Sequence, residues 1–272
     1  NRWPDEPTHG YRLTYEIDEQ LIRVTWDPIN AKRPSVTSAK WSARTKKLGA
    51  EVNVERSSIP LPKFIFGYYS GPTNRLAEHF LPMNQAHYAR LRDATSDDPT
   101  TLAQLLEQRR FFCAETHHAK YVLLAFCYKE DADISAFLKN RLRIEAFESA
   151  LFVIRKPRWA RSGTSAKDFW GATGVMRRVL ERLREFAIAP MVVEQTINDG
   201  YRTAKEDHYY FFLPDLERLH AFAAEYENAR TFFLALESTD FSELIYDVKI
   251  QVRVHTSGAN DAAITFREMS EG

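Results

Sequence analysis

Val248-Lys249-Ile250-Gln251-Val252-Arg253-Val254 alternates apolar residues with charged or polar ones. A period of two is that of a strand with one buried face and one wet face. Ser257-Gly258 then turns the chain and Ile264-Thr265-Phe266 returns, so the region reads as a β-hairpin running into Met269-Ser270-Glu271-Gly272. This hairpin decides the class, because the segments before it mix the same period with helical spacing. The expected fold is mixed α/β.

Working back from the hairpin, Pro214-Asp215 opens a helix with Leu216, Leu219, Phe222 and Ala223 on one side, and Phe232 to Leu236 and Phe241 to Ile245 continue as short helices. Met191 to Ile197 and His208 to Leu213 are β-like around Asn198-Asp199-Gly200, which suits a second hairpin. Val175, Met176, Val179, Leu180, Leu183 and Phe186 form one apolar helix face, opposite Arg177, Arg178, Arg182 and Arg184. Ala150-Leu151-Phe152-Val153-Ile154 reads as a buried strand. Asp131 or Asp133 can cap the helix before it, Ala119 to Tyr128 is a core helix, and Pro99 starts another carrying Leu102, Leu105 and Leu106.

Nearer the start, Phe64-Ile65-Phe66-Gly67-Tyr68-Tyr69 is a short aromatic strand that delivers the turn Ser70 to Arg75. Residues Asp27 to Ser58, rich in Lys, Arg, Ser and Pro, read as a long exposed loop. Tyr11, Leu13, Tyr15 and Ile17, then Ile22, Val24 and Trp26, alternate on either side of Asp18-Glu19-Gln20 and predict a hairpin. The organisation expected is a β-rich part over 1–75, an α-rich insertion over 76–247 and the hairpin over 248–272. No internal repeat or low-complexity tract is present.

Thirty-seven basic residues balance thirty-seven acidic ones, so no overall positive field marks a dedicated nucleic-acid binder, and any such contact must be local. Hydrophobic residues at 44% and charged ones at 27% suit a globular chain rather than a disordered one. Cys113 and Cys127 sit among apolar or aromatic neighbours, which points to free, inert thiols in a reducing cytoplasm. No run approaches the roughly 18 apolar residues that span a bilayer, so no membrane role is expected. The polar start without Met and the end on Gly272 read as those of a segment cut from a longer protein.

Three clusters invite chemistry. Arg155-Lys156-Pro157-Arg158-Trp159-Ala160-Arg161 packs four cations and an indole behind a strand. Such a run can grip a phosphate backbone and stack on a base, and it equally fits a solvated loop, with the arginines of the 175–186 helix as a conceivable extension. Glu115, His117 and His118, with His79 and His87, resemble a metal cluster only superficially, since adjacent histidines point in different directions and no ligand spacing accompanies them. No metal site is assigned in this chain. Ser270, Glu271 and Gly272 form either an ordinary surface turn or the entry to a helix, where a hydroxyl and free backbone N–H groups suit an anion.

Several blocks carry a family resemblance: Phe66-Gly67-Tyr68-Tyr69-Ser70-Gly71 with Asn74-Arg75-Leu76, Tyr121 to Phe126, Phe169-Trp170-Gly171-Ala172, Phe212-Leu213-Pro214-Asp215-Leu216, Leu236-Glu237-Ser238-Thr239, and Ile264 to Gly272. Together they resemble bacterial AAA-family ATPases of the ABC type, similar to the RecF-like, SMC-like and overcoming-lysogenization-defect ATPases associated with restriction or anti-phage systems. The resemblance covers roughly residues 60 to 272. It implies core sheet segments at both ends of the chain with a largely helical insertion between them. It also implies that Ser270, Glu271 and Gly272 are the signature that reaches, in trans, the ATP held by a second copy in a nucleotide-sandwich dimer or larger assembly, with Met269 standing where leucine is usual.

In such proteins a nucleotide- or Mg-sensing loop occupies the place of Ser70, Asn74 and Arg75, whose residues equally suit a capped loop-to-helix junction. The family's Gly-x-x-x-x-Gly-Lys-Ser/Thr loop and its Walker B carboxylates are missing from this sequence. The implied ATP and Mg2+ therefore belong to the full-length protein, and this chain contains no catalytic residue of its own. DNA, through Arg155, Lys156, Arg158 and Arg161, and an associated nuclease or effector are the other implied partners. A non-catalytic protein- or DNA-docking module is the alternative.

Overall fold

The computed structural model describes residues 9–42, 44, 47–68, 75–94, 96, 98–128, 131–161, 163–198, 203–254 and 264–265. They fall into two compact units, 1–65 and 66–272.

In the first unit, β1 (Tyr11–Ile17) and β2 (Gln20–Trp26) form the expected antiparallel hairpin. Asp18 and Glu19, both at positive φ, make its two-residue turn, a backbone whose twist matches that of the strands it joins. The segment expected as a loop over 27–58 instead contains β3 (Ser35–Ser42), paired with β2 over Ser35–Lys40, and the short β4 (Lys47–Leu48) and β5 (Val52–Asn53) on its other side. Its buried positions are Val36, Ser38 and Ala39, side chains too small and polar to register as apolar alternation. With Ile22 they are the buried core of this unit among the described residues.

The second unit begins within β6 (Ile65–Tyr68), which pairs with β7 (Phe111–Ala114). At Gly67 the strand lies close to α1: a Cβ would stand 2.9 Å from the Phe80 ring and would make that ring shift. Helix α1 (Arg75–Asp93) precedes α2 (Pro99–Glu107), whose first turn is capped by Asp98 accepting from Thr101 N at 2.8 Å. After β7 come α3 (His118–Tyr128) and α4 (Ala132–Leu142), the latter capped by Asp131.

The principal sheet is built from β8 (Ile144–Ile154), β9 (Ile188–Asn198), β10 (Thr203–Leu213), β11 (Ile245–Val254) and β12 (Ile264–Thr265) in the order β12-β11-β8-β10-β9, all antiparallel. Helices α5 (Gly174–Phe186), α6 (Leu216–Ala223) and α7 (Ala229–Phe241) pack against its strands. In β11 the alternating Val248, Ile250, Val252 and Val254 are buried, as the period of two requires.

The α/β class therefore stands, with corrected organisation. The region expected as an α-rich insertion, 76–247, supplies β8, β9 and β10, each of eleven residues, to the same sheet as β11. Residues 248–254 are an integral strand of that sheet, paired with β8 on one side and, as the expected hairpin, with the returning strand Ile264–Thr265 on the other, while the turn at Ser257-Gly258 lies outside the described residues. Phe232 to Phe241 is one helix, and Glu243 at φ 63° turns the chain so that Ile245 already begins β11.

Candidate functional site

Helix α7 buries an uncommon set of polar side chains in a helix interior: Thr231, Glu237, Ser238 and Thr239 are all at most 2% exposed. Ser238 and Thr239 donate back to the carbonyls of Leu234 and Ala235, which satisfies both hydroxyls within the helix. Glu237 has no such local outlet, and three other elements converge on it. The Tyr88 hydroxyl of α1 lies 2.5 Å from its carboxylate oxygens. Arg109, just before β7, donates Nη1 to Oε2 at 2.6 Å. His118, at the start of α3, brings Nε2 to 3.5 Å from Oε1.

The His118 tautomer follows from its other nitrogen. Nδ1 accepts the backbone N–H of Glu115 at 3.0 Å, so the neutral ring carries its proton on Nε2, toward Glu237. Burial alone would raise the pKa of Glu237. The hydrogen bond from His118, the charge of Arg109 and the Tyr88 hydroxyl outweigh it and hold the group below the ordinary range. The same burial, with the adjacent carboxylate, pushes the Tyr88 phenol up, so it stays a donor. Arg109 is further fixed by Nε donating to the Phe111 carbonyl at 3.0 Å and by lying 4.7 Å over the Phe112 ring and 5.3 Å over Tyr88. The centre thus gathers the Arg109 guanidinium, the Tyr88 hydroxyl and the His118 ring around the Glu237 carboxylate.

From this closed core a more open set of groups leads outward. Asp240, one turn on from Glu237, lies 3.5 Å from Nε2 of His117, whose Nδ1 is 3.7 Å from Glu115. Burial raises the pKa of Asp240 to about 6 despite a hydrogen bond with Tyr121, and nearby Glu237 adds to the rise. Burial, with His118 beside it, lowers His117 to about 4, and burial with Arg109 and Arg90 lowers His87 to about 4. Lys120 closes the group with a 2.8 Å ion pair to Asp247 of β11.

His117 and His118 serve different carboxylates, and the proton on Nε2 bars His118 from ligating through that atom. Among the described residues no group of three His, Cys, Asp or Glu side chains is arranged to hold a metal ion. His79 joins neither carboxylate, while His87 packs edge-on against Tyr88. Sequence reasoning missed Tyr88, Arg109, Glu237 and Asp240. The available signal was Glu237 itself, a charge placed among the apolar residues of α7.

The basic run is divided by the fold. Arg155 lies over the Tyr246 ring at 5.0 Å, and Arg158 is engaged by Glu243, whose Oε2 accepts from its backbone N–H at 3.1 Å. The Trp159 indole, read as a base-stacking group, donates to the Ser242 carbonyl at 2.7 Å and packs on the core, so its ring is committed to the loop's own anchorage. Lys156 and Arg161 remain exposed.

The arginines of α5 do not extend that run as a free patch. Arg177 pairs with Asp168 and Glu181, and Arg178 with Glu225 at 2.7 Å. Arg182 donates to the Phe222 and Ala221 carbonyls of α6, and Arg184 lies 4.8 Å over Phe169. These side chains hold neighbouring segments in place. Of the residues assigned to nucleotide, Ser70, Asn74, Ser270, Glu271 and Gly272 lie outside the described residues, and Arg75 is the first residue of α1.

No protein-family model, curated protein or solved structure matches this chain. No helix among the described residues is long and apolar enough to cross a membrane.

Proposed function

We propose that this chain is the segment of an ABC-type ATPase that lies between its phosphate-binding loop and its Walker B strand, and that it contributes the signature Ser270-Glu271-Gly272 to an ATP and Mg2+ site completed by a second copy. The observation that carries the reading is the terminal run Met269-Ser270-Glu271-Gly272 placed directly behind the returning strand Ile264–Thr265, which pairs with β11. A serine hydroxyl and backbone N–H groups at that point suit a phosphate, and ATP closure between copies would drive a DNA-related or anti-phage effector in the cytoplasm. Ser270→Arg in the full-length protein is expected to abolish ATP turnover while leaving the circular-dichroism melt unchanged. Undiminished turnover overturns the reading.

A second reading, a docking module for protein or DNA, is supported by the exposed lysines of the 155–167 loop at the mouth of an open groove. The two readings are compatible, because an ATPase segment can also hold a partner.

A further inference from the structure

The hairpin β9–β10 extends past its neighbours. β10 pairs with β8 only from Tyr209 onward, so residues 203–208 pair with β9 alone. Between the helix-facing side of this arm and the loop 156–170 lies an open groove of about 550 Å3, within the range of specific binding sites. Its two walls have opposite sign. Lys156 and Lys167 stand on the loop wall, and neither forms an ion pair among the described residues. Glu194 and Asp207, directly opposite each other in the hairpin register, stand on the arm. Lys205 is already taken by Glu194 at 2.6 Å, which leaves the carboxylates of Asp207 and its neighbour Glu206 on the arm.

In the floor Phe169, Trp170 and Gly171 have φ of 47°, 55° and 81°, a left-handed run that aromatic residues rarely adopt, and Trp170 packs edge-on against Tyr209. Trp170 is 3% and Tyr209 8% exposed, so the floor offers ring edges on which an aliphatic stem can rest, with no open face for a stacked base. A polyanion entering between the lysines would also meet Glu194 and Asp207, whereas a chain carrying both signs satisfies both walls.

We infer that this groove docks an extended polypeptide segment with an acidic side chain against Lys156 and Lys167, a basic one against Asp207, and an apolar stem on Trp170 and Tyr209. The inference rests on the docking reading and is independent of the ATPase reading. It is tested by selecting a random dodecapeptide phage library on the full chain and measuring the selected peptides by fluorescence anisotropy, with a single-stranded dodecanucleotide as the competing probe.

Selected peptides are expected to carry both charges and to bind Lys156→Glu/Lys167→Glu at least about tenfold more weakly. A peptide whose acidic residue is exchanged for lysine should regain affinity for that variant, an outcome that mere unfolding cannot produce. Peptides whose binding is indifferent to both lysines overturn the groove while leaving docking elsewhere on the chain intact. Dodecanucleotide binding that is lost in the double variant overturns the peptide assignment and makes the groove a nucleic-acid site. If neither probe binds, both this inference and the docking reading fail, and ATP turnover in the Ser270→Arg protein remains a separate measurement.

Discussion

At Glu237 the cost of burying a carboxylate is offset by three donors from three different segments, so the charge acts as a knot tying α1, the turn before β7 and α3 to α7. Removing one partner of such a pair leaves the other buried and uncompensated. Arg109→Met is accordingly expected to destabilise the second unit by about 3 to 5 kcal/mol, read as a lower urea midpoint. The adjacent titrations have opposite signs. His87, lowered from 6.5 to about 4, stabilises the fold fully above pH 6.5, and that contribution is lost as the pH falls toward 4.

Asp240, raised from 3.8 to about 6, is favourable only while protonated: its contribution is full below pH 3.8 and gone once the pH has risen through about 6. Asp240→Asn keeps an acceptor for Tyr121 and removes the buried charge. It should stabilise by on the order of 2 kcal/mol at pH 7.5 and leave stability near pH 4 little changed, which paired urea titrations at the two pH values will show.

Among elements, α5 shows how a face that reads as free and basic can be structural. Its apolar stripe faces the core as its spacing requires, while its arginines are spent on Asp168, Glu181, Glu225 and the carbonyls ending α6. Sequence periodicity gives the direction of such side chains but not what stands opposite them. The start of α5 depends on Gly174, at φ 57°, where a Cβ would lie 2.6 Å from the Leu91 carbonyl and 3.0 Å from that of Ala94. Gly174→Ala combines left-handed strain with a backbone clash, and a loss of about 2 to 4 kcal/mol is expected in thermal or urea unfolding. In β3 the difficulty was of another kind: its buried positions are Val36 and Ser38 on one face and Ala39 on the other, a pattern without apolar alternation.

Across the whole molecule, the two units differ in how much apolar surface they bury. The first rests on Ile22, Val36 and Ala39, whereas the second encloses a continuous core that includes Phe152, Phe169, Phe211, Phe222 and Phe232. Local opening follows buried contact density, so amide hydrogens of β2 and β3 are expected to exchange through openings several kcal/mol cheaper than those of β8 and β11. Native-state exchange at low denaturant will show this, and equal protection in both sheets would mean that the units unfold together.

By itself the sequence determined the α/β class, the β1–β2 and β9–β10 hairpins, the starts of α2 at Pro99, α4 and α6, and the buried stripe of α5, because each depends on neighbours a few residues away. The single antiparallel sheet joining β8 to β11, the Glu237 knot and the two-signed groove were decided only by tertiary structure. Tyr88 and Glu237 stand 149 residues apart, and Lys156 faces Asp207 across two segments of no shared periodicity. Glu237 acquires its distant partners because an uncompensated buried charge is intolerable, whereas Lys156 and Asp207 are exposed and share only the groove they line.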